Sequence, residues 1–97
     1  MTYAVHLTPS ARRDRDHILA WYDTEAPHQT GRFIDEFYAL ARRLSEFPQS
    51  TPVVYRGTRR ASLKVFPYQI WYRIHENTRL VEIIAVLHHR QNPSRAH

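Results

Sequence analysis

Apolar and polar residues alternate over residues 3–7 and again in the second half of the chain, and helical spacing prevails between these regions. Strict alternation is typical of a half-buried strand, so residues 3–7 are predicted to form a first strand. Pro9 ends this strand and suits the first turn of a helix, which Thr8 or Ser10 can cap. The apolar residues at helical spacing in this first helix are Ala11, Ile18, Trp21 and Tyr22.

A longer apolar stripe predicts a second helix. Ala26 and Pro27 break the first helix, and Pro48 ends the second. Between them, apolar residues follow the spacing that places side chains on one buried face. The residues of this stripe are Phe33, Phe37, Leu40, Ala41, Leu44 and Phe47. Because the link between the helices is short, they are predicted to form an antiparallel hairpin.

After the second helix the apolar period changes to two. Residues 49–57 are expected to form a loop, and three strands are then predicted over residues 60–66, 68–74 and 80–88. The order β-α-α-β-β-β predicts a single α+β domain over residues 1–97, in which the helical hairpin packs on one face of a small, mainly antiparallel sheet. The polar residues 91–97 are expected to form a loose tail.

Side-chain parity on the strand over residues 68–74 separates the two faces of this sheet. The set predicted to face the helices is Tyr68, Ile70, Tyr72 and Ile74. The set on the open side, which includes the neighbouring strand, is then Gln69, Trp71 and Arg73 with Arg60, Ser62 and Lys64. Cations around an indole ring suit nucleotide stacking or an acidic, partly apolar peptide. The alternative is the reverse parity, with Trp71 in the core.

Composition limits the classes of protein to which the chain can belong. The length of 97 residues suits one domain, and a hydrophobic fraction of 42% indicates a globular chain. The absence of cysteine excludes disulfides, thiolate nucleophiles and cysteine-ligated metals, and it suits a reducing cytosol. The N-terminal sequence has no signal-peptide pattern and no apolar run is long enough to span a bilayer, so we expect a cytoplasmic protein without membrane contact.

The formal net charge of +5 is concentrated in the C-terminal half. Residues 1–55 contain six Arg against seven acidic residues, a balance of −1. Residues 56–97 contain eight cations against Glu76 and Glu82, a balance of +6. Such a positive field favours an acidic partner, either nucleic acid or an acidic protein segment. The alternative is a basic surface that only faces solvent.

Two segments resemble the RelE/ParE superfamily of toxins. Residues 59–74, RRASLKVFPYQIWYRI, contain a basic strand followed by Pro-Tyr-x-apolar-x-Tyr-Arg-apolar, and residues 83–93, IIAVLHHRQNP, close a strand on Val-x-His-x-Arg. The resemblance implies a toxin that a cognate antitoxin neutralises by wrapping its C-terminal segment around it. It also implies one of two mechanisms: RelE-like toxins cleave messenger RNA in the ribosome, whereas ParE-like toxins bind and poison DNA gyrase.

The residues of RelE-like catalysis are mostly missing. The resemblance places two catalytic lysines at Arg60 and Ser62, and an arginine of the next strand at Gln69. One C-terminal catalytic position falls near His89, and no tyrosine follows Tyr72. Arg is a poor proton-transfer group because its pKa exceeds about 12, and Gln carries no charge for a phosphate. The resemblance therefore favours a ParE-like toxin that binds DNA gyrase and is not an enzyme.

A ribosome-dependent nuclease acting on messenger RNA is the alternative. Its candidate catalytic residues are His88, His89, Arg90 and Arg73, and Glu82 is the nearby carboxylate that could act as a base. Candidate contact residues of either a partner protein or a nucleic acid are Arg59, Arg60, Lys64, Gln69, Trp71, Arg73, His89 and Arg90. Alternatively, Arg73 only orders the sheet by pairing with Glu82 on the next strand.

No metal or cofactor is expected. Adjacent residues of a strand point to opposite faces, so His88 and His89 are not expected to bind one ion, and no other cluster of ligands accompanies them in the sequence. A third interpretation is a structural binding module without toxic activity.

Overall fold

Thr8 ends the first strand and begins the first helix in the computed structural model. β1 (Ala4–Leu7) is followed directly by α1 (Pro9–Glu25). The Thr8 hydroxyl oxygen accepts the backbone N–H of Ala11 at 3.1 Å, which satisfies a donor that the first helical turn would otherwise leave unpaired. Of the two predicted caps, Thr8 rather than Ser10 is the one that forms.

The two helices form the predicted hairpin. A short 3₁₀ turn, Pro27–Gln29, connects α1 to α2 (Thr30–Glu46). The predicted stripe of α2 is buried at Phe33, Phe37, Ala41 and Leu44. For two residues of the predicted apolar stripes, the prediction of burial is wrong. The Trp21 side chain is 55% exposed, and Phe47, which follows the last residue of α2, is 60% exposed.

Within residues 2–91, four further strands complete a single sheet. They are β2 (Val53–Tyr55), β3 (Thr58–Ser62), β4 (Tyr68–His75) and β5 (Leu80–His88). Their order is β1-β5-β4-β3-β2, with β1 parallel to β5 and all other pairs antiparallel. The predicted α+β fold, with a helical hairpin on one face of a mainly antiparallel sheet, is confirmed.

Two strand predictions need correction. Residues 53–55 were expected in a loop but form β2, so the sheet gains a short edge strand. β3 ends at Ser62, earlier than predicted, because the register that pairs Ser62 with Gln69 leaves residues 63–67 to connect β3 to β4. Within this connection the Glu36 carboxylate of α2 accepts the backbone N–H groups of Lys64 and Val65, which satisfies two donors that the sheet does not pair.

A β-bulge in β5 changes which side chains face the helices. Tyr72 pairs with Ile83 whereas Trp71 pairs with Ala85, so Ile84 is an extra residue. The core under the helices includes Ile70, Tyr72, Val81, Ile83 and Val86. A separate small cluster on the other side of the sheet contains Trp71, Ala85 and Leu87. The predicted parity of β4 is therefore confirmed, and the reverse parity is wrong.

One buried carboxylate joins α1 to the second half of β5. Asp14 is 8% exposed, and its Oδ2 accepts the backbone N–H of Val86 at 3.0 Å. β1 pairs with β5 only as far as Leu7 and Ile83. Val86 lies beyond this pairing, so its N–H needs an acceptor from another element. Asp14 supplies it and fixes α1 against the sheet.

The structure describes residues 2–91. The tail predicted over residues 91–97 therefore lies, apart from Gln91, outside the described residues. Within the described range, neither helix has the length and apolar character that crossing a bilayer requires.

Candidate functional site

The open face, which is the side of the sheet away from the helices, carries polar side chains of β3 and β4. Arg60 lies opposite Trp71, and its guanidinium carbon is 5.5 Å from the indole centroid. Ser62 lies opposite Gln69, whose Nε2 donates to the Ser62 hydroxyl at 3.4 Å. The structure brings these four residues together on one face, as their parity predicts.

Trp71 does not offer a stacking platform. Its side chain is only 4% exposed and belongs to the cluster with Ala85 and Leu87. A nucleotide base stacks only where the face of an aromatic ring is accessible, so this geometry does not support the expected stacking. Arg60 is exposed, and its charge is accessible to an acidic partner.

Arg73 and Glu82 lie opposite each other in the register of β4 and β5, but each side chain has a different partner. The Arg73 Nε donates to the Thr58 hydroxyl at 3.3 Å, and the Glu82 carboxylate lies 3.0 Å from His75 Nε2. The expected pairing of Arg73 with Glu82 is therefore wrong. Arg73 instead ties β4 to β3, because Thr58 is a buried residue of that strand.

Arg59 lies on the helix side of the sheet. It is opposite Tyr72 in the register, and its Nη1 donates to the Thr51 carbonyl. The Tyr72 hydroxyl donates to the Pro48 carbonyl at 2.8 Å. Arg59 and Tyr72 together hold the loop that precedes β2, so Arg59 is set apart from the other candidate contact residues.

Lys64 lies beyond the end of β3, so its predicted place on an open-face strand is wrong. Its side chain is exposed and lines a cleft against α2. It also lines a second cleft, of about 280 Å³, at the end of the sheet. The other polar residues around this sheet-end cleft are Ser62, Tyr68, Gln69 and His89.

His88 and His89 lie side by side at the end of β5. Their ring centroids are 4.5 Å apart and the rings are stacked, because β5 ends at His88 and the chain turns at His89. The expectation that the two side chains point to opposite faces is wrong for this reason. Residues 2–91 contain no group of three or more His, Asp and Glu side chains placed to hold a metal ion.

Hydrogen bonds indicate the tautomer of each ring. His89 Nδ1 lies 3.2 Å from the Pro67 carbonyl, which can only accept, so His89 Nδ1 is the donor of this hydrogen bond. The Arg90 N–H donates to His88 Nδ1 at 3.1 Å. Partial burial, and then the charges of His89 and Arg90, lower the pKa of His88. His88 therefore favours its neutral form near pH 7.

The sheet-end cleft contains part of what metal-free RNA cleavage requires. His89 offers a base and Lys64 a cation for a phosphate. Burial raises the pKa of Tyr68, so this phenol is a weaker acid than usual. This chain has Arg60 and Ser62 where RelE-like toxins have two lysines, and it has Gln69 where they have an arginine. This arrangement suits binding better than proton transfer.

The sequence matches one protein family over most of its length. Residues 5–93 match the family described as ParE toxin of type II toxin-antitoxin system, parDE. The chain belongs to the ParE toxin family. It is accordingly the toxin of a type II toxin–antitoxin system, and the resemblance to the RelE/ParE superfamily is confirmed on its ParE branch.

Solved structures share the fold of this ParE-family chain. The chromosomal ParDE system from P. aeruginosa has a TM-score of 0.73 and 17% identity, covering 88% of this chain and 94% of that one. The RelBE2 toxin–antitoxin complex from Mycobacterium tuberculosis has a TM-score of 0.64 and 26% identity, covering 91% and 92%. The archaeal RelE–RelB complex from Pyrococcus horikoshii OT3 has a TM-score of 0.53 and 15% identity, covering 95% and 100%. A search of curated proteins gave no match.

The hairpin of β2 and β3 is an exposed feature of this ParE-family chain that the predicted elements do not include. Its signal was present, because the dipeptide Arg56-Gly57 separates two runs that contain β-branched residues. A two-residue connection ending in glycine is typical of a tight β-hairpin. Pro52 and Gly57 flank residues 53–55 and favour a loop, which is why the predicted elements lack β2.

Proposed function

We propose that this ParE-family toxin acts in the cytoplasm and inhibits growth by binding and poisoning DNA gyrase. The observation that carries the proposal is the set of side chains at Arg60, Ser62 and Gln69. A RelE-like nuclease needs proton-transfer groups and a phosphate-binding cation at these positions. Here they hold a guanidinium over an indole ring, a hydroxyl and an amide that donates to it. Such a surface can bind a partner but is poorly suited to transfer protons.

Two further observations support a protein partner. The positive charge of residues 56–97 favours association with an acidic surface. The structural neighbours are toxin–antitoxin complexes, which supports neutralisation of this toxin by a cognate antitoxin. We expect the gene for that antitoxin to lie beside the toxin gene.

Induction of the toxin without antitoxin should arrest growth, induce the DNA-damage response and leave messenger RNA intact. Purified toxin should inhibit supercoiling by gyrase. Arg60→Ala should raise the concentration for half inhibition roughly tenfold, because a charge contact at an interface contributes on the order of 1.4 kcal/mol. Arg42→Ala removes an exposed cation from α2 and should leave inhibition unchanged. Full supercoiling activity at saturating toxin would contradict the proposal.

RNA cleavage is the second candidate function, and His89 favours it. His89 lines a cleft that Lys64 also lines. Under this hypothesis, primer extension after induction detects new transcript ends, and both His89→Ala and Arg90→Ala abolish them. His28→Ala changes an exposed histidine near the start of α2 and should have no effect. Intact transcripts together with normal growth would instead favour a binding module without toxicity.

A further inference from the structure

The outer side of α1 carries an aromatic ring and several charges that the rest of the fold leaves exposed. Trp21 belongs to the predicted apolar stripe of this helix, yet its side chain is 55% exposed. Arg13, His17 and Ala20 form an exposed stripe that continues to residue 24, at the spacing that places side chains on one side of a helix. The exposed residues called the α1 face below are Arg12, Arg13, His17, Ala20, Trp21 and Asp23.

The charges of α1 are arranged against the dipole of the helix. A helix is positive at its N-terminus and negative at its C-terminus, which favours acidic residues in the first turn and cations in the last. α1 has no acidic residue in its first turn and no basic residue in its last turn. Instead, Arg12 and Arg13 follow the first turn, and Asp23 and Glu25 lie in the last turn. Because this order does not stabilise α1 itself, we look for its benefit in a contact outside the chain.

The charged side chains of the α1 face are available for such a contact. Within the residues that the structure describes, Arg12, Arg13 and Asp23 form no ion pair. Asp23 Oδ1 accepts the Thr30 hydroxyl at 2.7 Å, which fixes the carboxylate at the end of α1 while the residue remains exposed. An exposed charge that is already ordered loses less freedom when a partner binds. Asp23 is therefore prearranged to pair with a cation.

A second, antiparallel copy of α1 complements this face. If a two-fold axis passes between residues 18 and 19, residue 13 lies opposite residue 24 of the second copy, and residue 17 opposite residue 20. The exposed stripe then packs on itself, and the small side chain of Ala20 allows the helices to approach closely. On the flank next to α2, Arg12 lies beside Asp23 of the second copy. On the other flank, Trp21 lies beside His17 of the second copy.

Charge favours a second copy over other partners. A nucleic acid would be attracted by Arg12 and Arg13 but repelled by Asp23. Two parallel copies of the helix would place like charges together. Antiparallel packing instead pairs the cations of each copy with the acidic residues of the other, and the two-fold symmetry forms every contact twice.

We propose that α1 forms an antiparallel two-fold contact with α1 of a second copy of the chain. Arg12 pairs with Asp23 of the second copy, and Trp21 packs against the His17 ring of the second copy. α1 has 17 residues and is about 25 Å long, so the interface is small and the dissociation constant is on the order of 100 µM. The proposal does not depend on whether the toxin inhibits gyrase or cleaves RNA.

The test measures association of the full-length toxin by sedimentation velocity at concentrations from about 10 µM to 1 mM. Arg12→Glu should raise Kd roughly tenfold or more, because the pair then contains two Glu–Asp contacts. Asp23→Arg should have the same effect through two Arg–Arg contacts. When the two variants are mixed, association should return, because the mixed pair contains one Glu–Arg contact and one native contact. Thermal unfolding should find both variants folded, since each new charge suits the helix dipole.

Controls separate the α1 face from general effects of charge. Arg32→Glu changes the net charge by the same amount as Arg12→Glu, but Arg32 lies on the side of α2 next to the β3–β4 connection, so association should not change. Trp21→Ala should weaken association roughly tenfold. The proposal is overturned if the native chain stays monomeric at about 1 mM, if Arg12→Glu associates as tightly as the native chain, or if the mixed variants remain monomeric. Association that is lost in Tyr55→Ala but kept in Trp21→Ala would place the contact at β2 and would also overturn it.

Discussion

Replacement of Phe33 by Ala should lower the free energy of unfolding by about 3–5 kcal/mol. The Phe33 ring is fully buried, and its centroid lies 5.8 Å from that of Tyr22, 5.5 Å from that of Phe66 and 5.8 Å from that of Tyr68. Truncation leaves a cavity where both helices meet the sheet. Since small domains have a total stability of roughly 5–15 kcal/mol, this variant should be marginally folded at best. Urea unfolding followed by circular dichroism measures the difference.

Ile34→Ala is the matched control for this prediction. Ile34 is the next residue of α2 and is 37% exposed, so its truncation should cost less than about 1 kcal/mol. Equal losses in the two variants would mean that the helical hairpin does not dock through Phe33. Truncation of Phe33 should also disturb the candidate site. Phe66 and Tyr68 flank Pro67, and the Pro67 carbonyl is hydrogen-bonded to His89.

The same stripe explains why most of the fold could be predicted. A helix that packs on a sheet must bury one face, and this requirement leaves a periodic trace from Phe33 to Leu44 in the sequence. Alternation on β4 likewise reports which side chains face the helices, and it placed Tyr72 and Trp71 on opposite sides correctly. These signals are local in sequence and directly reflect burial.

The features that could not be predicted depend on contacts between distant parts of the chain. Glu36 is one of several acids on a helix, and nothing near it in sequence indicates that it binds the N–H groups of Lys64 and Val65. This contact ties the connection between β3 and β4 to α2. The extra residue Ile84 arises from the pairing of β5 with β4, and apolar runs without polar residues do not report such a register shift.

The sequence predicts which face of the sheet carries the candidate site, but it does not predict how accessible the side chains on that face are. Parity placed Arg60 and Trp71 together, yet the burial of the indole depends on Ala85 and Leu87, which reach that side only after the bulge. The stacked rings of His88 and His89 follow from the end of β5, which alternation alone does not locate. Positions of single side chains at strand ends are therefore the least predictable part of this site.

Replacement of Asp14 by Ala should lower the free energy of unfolding by about 2–3 kcal/mol. The carboxylate accepts the Val86 N–H at 3.0 Å, and Val86 is only 2% exposed, so water cannot readily replace the lost acceptor. Amide hydrogen exchange gives a specific readout, because the Val86 amide should exchange faster. Asp14→Asn retains an acceptor oxygen and should lose less stability.

Asp16→Ala is the matched control, since Asp16 lies on the same helix with a side chain that is 63% exposed. Its ion pair with Arg15 is on the surface, and its loss should change stability by less than about 0.5 kcal/mol. Val86 lies between the bulge and the histidines at the end of β5, so the Asp14 variant should also weaken protection of the His88 amide. If Val86 exchanges at the native rate in Asp14→Ala while global stability falls, the carboxylate acts elsewhere, and α1 does not fix the end of β5.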